Sequence, residues 1–95
     1  MENDGTACLR LDLFLKRSRL VKRRPLAATL CDNGYVTLNG HPSRPGKIVH
    51  EGDRIEVTYA RKIVFVEVTA IPETTKKNQE CYTVLREEKI EEELF

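Results

Sequence analysis

From Lys16 to Arg24, six of nine residues are basic (Lys16, Arg17, Arg19, Lys22, Arg23 and Arg24) and none is acidic. Arg10 precedes this cluster and Lys47 follows it in the run HPSRPGK. Such side chains suit phosphate, because a charged donor makes strong hydrogen bonds and the arginine fork matches two phosphate oxygens at once. The competing reading is an ordinary solvated helix face. Little else could do chemistry. The sequence holds no P-loop, no G-x-G-x-x-G and no G-x-S-x-G. His41 and His50 lack metal-ligand spacing to any Cys or Asp and read as surface histidines. The pairs and triplets of glutamate in 87–93 read as a solvated charge run, and Cys31 reads as a small core residue on an apolar helix face. No catalytic residue, metal ligand or cofactor site is therefore expected.

Two apolar stripes must position these cations. Leu11, Phe14 and Leu15 stand at i, i+3, i+4 and predict a helix from Leu11 to about Ser18–Leu20, with Lys16 and Arg17 off the stripe and Asp12 in the first turn. A second helix is predicted from about Arg23 to Asn33. Pro25 marks its first turn, Leu26, Ala27, Leu30 and Cys31 form its apolar face, and Gly34 closes it. Arg23 stands where a Ser or Thr cap is usual, so basic charge crowds a helix start that favours anions. The pattern then alternates, predicting strands near 35–39, 47–50, 54–59 and 62–71, with Asn39-Gly40 as a tight turn, HPSRPGK as a crossing loop and Gly52-Asp53 within a further turn. The expected core is Leu11, Phe14, Leu15, Leu26, Leu30, Val36, Leu38, Ile48, Ile55 and Val57, and Phe65 also reads as core.

The chain has 95 residues, room for one small domain and none for a separate catalytic one. Residues 1–9 read as a loose leader without a secretory signal, 10–72 as the domain, and 73–95 as an acidic C-terminal tail in which Cys81–Leu85 is semi-apolar and Ile90 and Leu94 could share a short helix. No apolar run approaches the ~20 residues of a membrane span. Three cysteines with no C-x-x-C pair fit free thiols in a reducing cytoplasm. The net charge of +1 hides a split: residues 1–50 carry +5 and residues 51–95 carry −4. The basic half can meet phosphate while the acidic half repels misplaced nucleic acid. No interleaved aromatic platform is present, so recognition of RNA shape and backbone is expected rather than base stacking.

The stretch RLDLFLKRSRLVKRRPLAATLCDNGYVTLNG, continued by RPGKIVHEGDRIEV, resembles the alpha-L RNA-binding motif, or S-four domain, over residues 10–58. Arg10-Leu11-Asp12 opens that motif, Arg24 begins its second helix, and Asn33-Gly34, Asn39-Gly40 and Gly52-Asp53 mark its turns. Arg23 departs from it, since many members have Ser or Thr there. The implied fold is α+β: two short helices packed on a small twisted sheet of about four strands, with a C-terminal extension.

Residues 61–90 extend the likeness to small bacterial factors of ribosome-associated quality control, relatives of the heat-shock protein of the large ribosomal subunit. This resemblance implies a cytoplasmic, ribosome-associated binding factor rather than an enzyme. Its partners would be large-subunit rRNA, peptidyl-site tRNA, the obstructed large ribosomal subunit and a quality-control protein of the NEMF type. Arg10 and Arg24 match basic family positions that face RNA, and Lys16, Arg17, Arg19, Lys22, Arg23 and Lys47 are expected to join them. A monomer is expected, since nothing suggests a coiled coil. Two alternatives stand beside this reading: a heat-shock-type factor that recycles peptidyl-tRNA on free large subunits, and a protein-interaction module with incidental RNA binding.

Overall fold

The computed structural model describes residues 8–72 and 81–90. The elements run β1 (Cys8–Arg10), α1 (Leu11–Arg17), α2 (Arg24–Asp32), β2 (Val36–Leu38), β3 (His41–Pro42), β4 (Ile48–His50), β5 (Arg54–Thr58), β6 (Lys62–Val68) and β7 (Tyr82–Lys89). Five strands form one antiparallel sheet in the order β3-β2-β5-β6-β7, and β1 and β4 form a separate two-stranded ribbon. This is the expected α+β architecture. The four expected strands are all present, although β6 ends at Val68 rather than Ile71.

Neither helix has a side-chain N-cap. At α1 the backbone substitutes: Leu11 N–H donates to the Lys47 carbonyl at 2.7 Å and Asp12 N–H to the Pro45 carbonyl at 3.0 Å. The loop at 45–47 is thus tied to the helix start, satisfying N–H groups that a helix leaves without partners. Helix α2 ends as its sequence dictates. Gly34, with φ of 82°, lets its own N–H reach the Cys31 carbonyl and the Tyr35 N–H reach the Leu30 carbonyl, the double bond of a Schellman motif. Asn39 and Gly40 both have positive φ and turn β2 into β3, as a two-residue hairpin requires. The Asn39 side chain donates to Asp53 at 3.1 Å and accepts from the Arg54 N–H at 2.9 Å, which locks two of the turns together.

The core joins both helices to the sheet. Leu11, Phe14, Leu15, Val36, Leu38, Ile55 and Val57 are buried as expected, together with Val21, Ala27, Cys31, Val49, Val64, Val66, Val68 and Cys81. Four residues of the expected core are corrected. Ile48 is exposed and Val49 is buried, because the three-residue ribbon strand turns the opposite phase inward. Leu26 is exposed and Leu30 only borders the core, since α2 meets its neighbours chiefly through Ala27 and Cys31. Phe65 lies on the outer side of the sheet beneath the Arg86 guanidinium, 4.3 Å from the ring centre.

Three strands extend beyond the sequence reading. Cys8–Arg10 pairs with Ile48–His50, so strand structure begins inside the segment read as leader. His41-Pro42, read as crossing loop, pairs with β2. Tyr82–Lys89, read as a semi-apolar stretch running into a helix or mobile tail, is a full strand against β6. A register shift at Phe65/Val66 breaks its alternation, pairing Phe65 with Arg86 but Val66 with Val84. Residues 1–7, 73–80 and 91–95, including Leu94 of the suggested helix, lie outside the described residues.

Candidate nucleic-acid interface

The centre of the basic surface is a buried acid. The Asp12 side chain is 5% exposed and lies between two arginines whose side chains are about half exposed, Arg10 at 51% and Arg24 at 45%. Arg10 donates from Nε to Oδ1 and from Nη2 to Oδ2, both at 3.3 Å. Arg24 donates from Nε to Oδ2, also at 3.3 Å. Arg10 ends β1 and Arg24 begins α2, so one carboxylate at the start of α1 joins three elements that are remote in sequence. Among the described residues, the remaining guanidinium donors have no protein partner.

Arg10 also faces the loop that caps α1. A Cβ on Gly46 would lie 3.8 Å from Arg10 Nη2, which places the guanidinium directly over this glycine. Arg10, His41, Ser43, Arg44, Gly46 and Lys47 contribute to an open groove of about 840 Å³. The structure thus brings Lys47 beside Arg10 and adds Arg44, a residue the sequence reading passed over. The signal was present, since Arg44 stands in the same RPGK run as Lys47. Asp12 was also missed as part of the site, because sequence explains it equally well as a helix-dipole residue.

Lys16, Arg19 and Lys22 line a second, smaller hollow of about 250 Å³ with Val21. Lys16 lies one turn along α1 from Asp12, on the same side of the helix. Arg19 is held out by an unusual backbone, with φ of 70°, just after α1. Buried Ser18 stabilises this turn, donating from Oγ to the Leu15 carbonyl at 3.1 Å and accepting from the Leu20 N–H at 3.3 Å. Arg23 is exposed at the start of α2. Arg17 is placed differently: its Nη1 donates to the Pro72 carbonyl at 3.3 Å, in the segment leaving β6. The structure therefore gathers Arg10, Arg24 and Lys47 at one place and Lys16, Arg19 and Lys22 at another, and gives Arg17 a structural partner.

The described residues contain no cluster of three or more His, Cys, Asp or Glu able to hold a metal ion. Cys31 and Cys81 are buried free thiols and Cys8 is an exposed one. Burial, aided by the Asp12 and Asp32 carboxylates, pushes the Cys31 thiol up to about 11. Burial also raises Cys81. A nucleophilic cysteine needs the opposite shift. No helix among the described residues is long and apolar enough to cross a membrane.

The S4 domain family model matches residues 9–55, a stretch that contains every element of both basic hollows. The chain is 44% identical over 84 residues to a Halalkalibacterium halodurans protein named RQC P-site tRNA stabilizing factor, covering 86% of this chain and 96% of that one. It is 43% identical to the Bacillus subtilis protein of the same name, covering 88% and 100%. Among solved structures, the trimeric heat shock protein 15 of Vibrio cholerae superposes with a TM-score of 0.77 at 26% identity, covering 82% of each chain.

Proposed function

This chain belongs to the S4-domain family of P-site tRNA stabilizing factors, and from that membership we propose that it binds the large ribosomal subunit and holds peptidyl-tRNA in the peptidyl site during ribosome-associated quality control of stalled chains. One observation carries the reading: the family match falls on the part of the chain where two half-exposed arginines are fixed by a buried carboxylate. Arg10, Arg24, Arg44 and Lys47 form one contact with RNA backbone, and Lys16, Arg19, Lys22 and Arg23 another. The work is done by binding alone, with no covalent step. The protein acts as a monomer in the cytoplasm, on an obstructed large subunit that also engages a NEMF-type partner. The trimer belongs to the Vibrio cholerae relative.

Co-sedimentation with large subunits, empty or carrying peptidyl-tRNA, tests this across a salt series. Preference for the tRNA-bearing subunit, lost in an Arg10→Ala, Arg24→Ala double mutant that still folds, is the expected result. Equal binding to both subunits would leave a general rRNA-binding protein. Absence of binding even at low salt would favour a protein-interaction module.

A further inference from the structure

We propose that Asp12 is a positioning residue for RNA binding: its carboxylate, although it repels phosphate, raises affinity by fixing the guanidinium groups of Arg10 and Arg24 in one geometry. The proposal rests on the RNA-binding reading above and deepens it.

Coulomb's law alone predicts the opposite. A negative charge within a basic surface lowers the local potential and should weaken its attraction for a polyanion. Yet Asp12 is nearly inaccessible, so it does not meet the ligand, and it spends its hydrogen-bonding capacity on two partners from different elements. The choice of atoms matters. Among the described residues, Arg24 is held through Nε at 3.3 Å and makes no further hydrogen bond through its Nη groups. Arg10 is held through Nε and Nη2, and among the described residues its Nη1 has no partner. Each fork is gripped from behind while its tip remains available.

A free arginine loses rotamer freedom when it takes hold of a phosphate, and that loss weakens binding. Here much of the loss has already occurred on folding. The anchor is itself rigid: Asp12 sits in the first turn of α1, its N–H bound to the Pro45 carbonyl at 3.0 Å and its neighbours Leu11 and Phe14 fully buried. The same acid therefore sets the spacing between two cations contributed by β1 and α2.

The test is the sign of the effect of Asp12→Asn. This change keeps the shape of the side chain and removes one negative charge. Binding to isolated large ribosomal subunits should weaken about tenfold, with the salt slope unchanged, because the number of phosphates met is the same. In an Arg10→Ala, Arg24→Ala background the same substitution should cause no loss. A purely structural role would weaken binding in both backgrounds, and a purely electrostatic one would tighten it in both. Either result overturns the proposal.

Arg24→Lys gives an independent measurement should Asp12→Asn fail to fold. It retains the charge but has no planar fork for a carboxylate to grip from behind. A similar loss supports the proposal and unchanged affinity overturns it. If the wild-type protein binds no RNA, the functional reading falls with it. If the wild type binds and Asp12→Asn tightens the complex, only the role of Asp12 falls.

Discussion

The Asp12 pairs and the Arg86–Glu88 pair look alike as distances and differ in every other respect. Asp12 is buried, belongs to a helix, and binds arginines 2 and 12 positions away in sequence at 3.3 Å. Arg86 and Glu88 are 3.0 Å apart on β7, but both are exposed, at 63% and 49%. An exposed pair on one strand is screened by water and contributes ~0–1 kcal/mol. A buried anion between two cations cannot lose its partners so cheaply. The two ends of the molecule thus use charge in different ways. On the helical end, charge fixes geometry. On the β6–β7 end, the pair lies exposed along one strand. At the proposed interface, a buried carboxylate holds two half-exposed arginines still.

The comparison would break if the two ends were separate folding units. Phe14 tests this, since it is fully buried in α1 and belongs to the same core as Val64 and Val66 of β6. Phe14→Ala should cost ~3–5 kcal/mol, and hydrogen exchange should show β6 losing protection together with α1. Protection that survives in β6 alone would show two units. Next in size is the contrast in RNA affinity. Removing Arg10 and Arg24 should weaken binding about a hundredfold, because each loses a charge-assisted contact, and should flatten the salt slope by ~2. Neutralising Glu87 and Glu88 to Gln should tighten binding, and by less than about threefold. Equal effects at both ends, read by titration at fixed salt, would remove the distinction between a fixed and a decorative charge.

The helical end was legible in the sequence because its determinants are local. Pro25 and Gly34 bracket α2 and the i, i+3, i+4 stripe identifies α1. What sequence could not supply was the meeting of Arg10 with Arg24, which depends on β1 pairing with β4 and on the carbonyls of 45–47 capping α1. The β7 end was hidden for a different reason. The run REEK has helix-forming residues, but pairing with β6 overrides that local preference. The register shift at Phe65/Val66 also removes the period-two signal by which a strand is recognised. The misplacement of Ile48 and Leu26 has a simpler origin: a three-residue strand and a nine-residue helix offer too few positions to fix the phase of the buried face.

Arg19 sharpens the comparison at a smaller scale. A left-handed backbone favours glycine, and an arginine held there is strained. Arg19→Gly should therefore raise stability by about 1 kcal/mol, measured by thermal unfolding, while weakening RNA binding. No gain in stability would mean that the turn is not strained. Weakened stability together with unchanged RNA affinity would remove Arg19 from the interface.

The smallest effect separates the two ends through their buried thiols. Cys31 lies in α2, where burial and then the Asp12 and Asp32 carboxylates raise it to about 11 from an ordinary value of 9.0. Cys81, beside β7, is raised by burial alone. A thiol raised on folding favours the native state while it stays neutral. Its contribution is full below pH 9.0, where neither state ionises, and falls as the unfolded chain ionises first, until the native thiol follows near pH 11. Burial also raises Tyr59 and Tyr82, which add a decline of the same sign from about pH 10. Chemical denaturation between pH 8 and 11 should thus show falling stability. Cys31→Ala should flatten that fall more than Cys81→Ala, because at Cys31 burial is joined by the Asp12 and Asp32 carboxylates. Equal flattening by both variants would show that the Asp12 and Asp32 carboxylates add little to burial at Cys31.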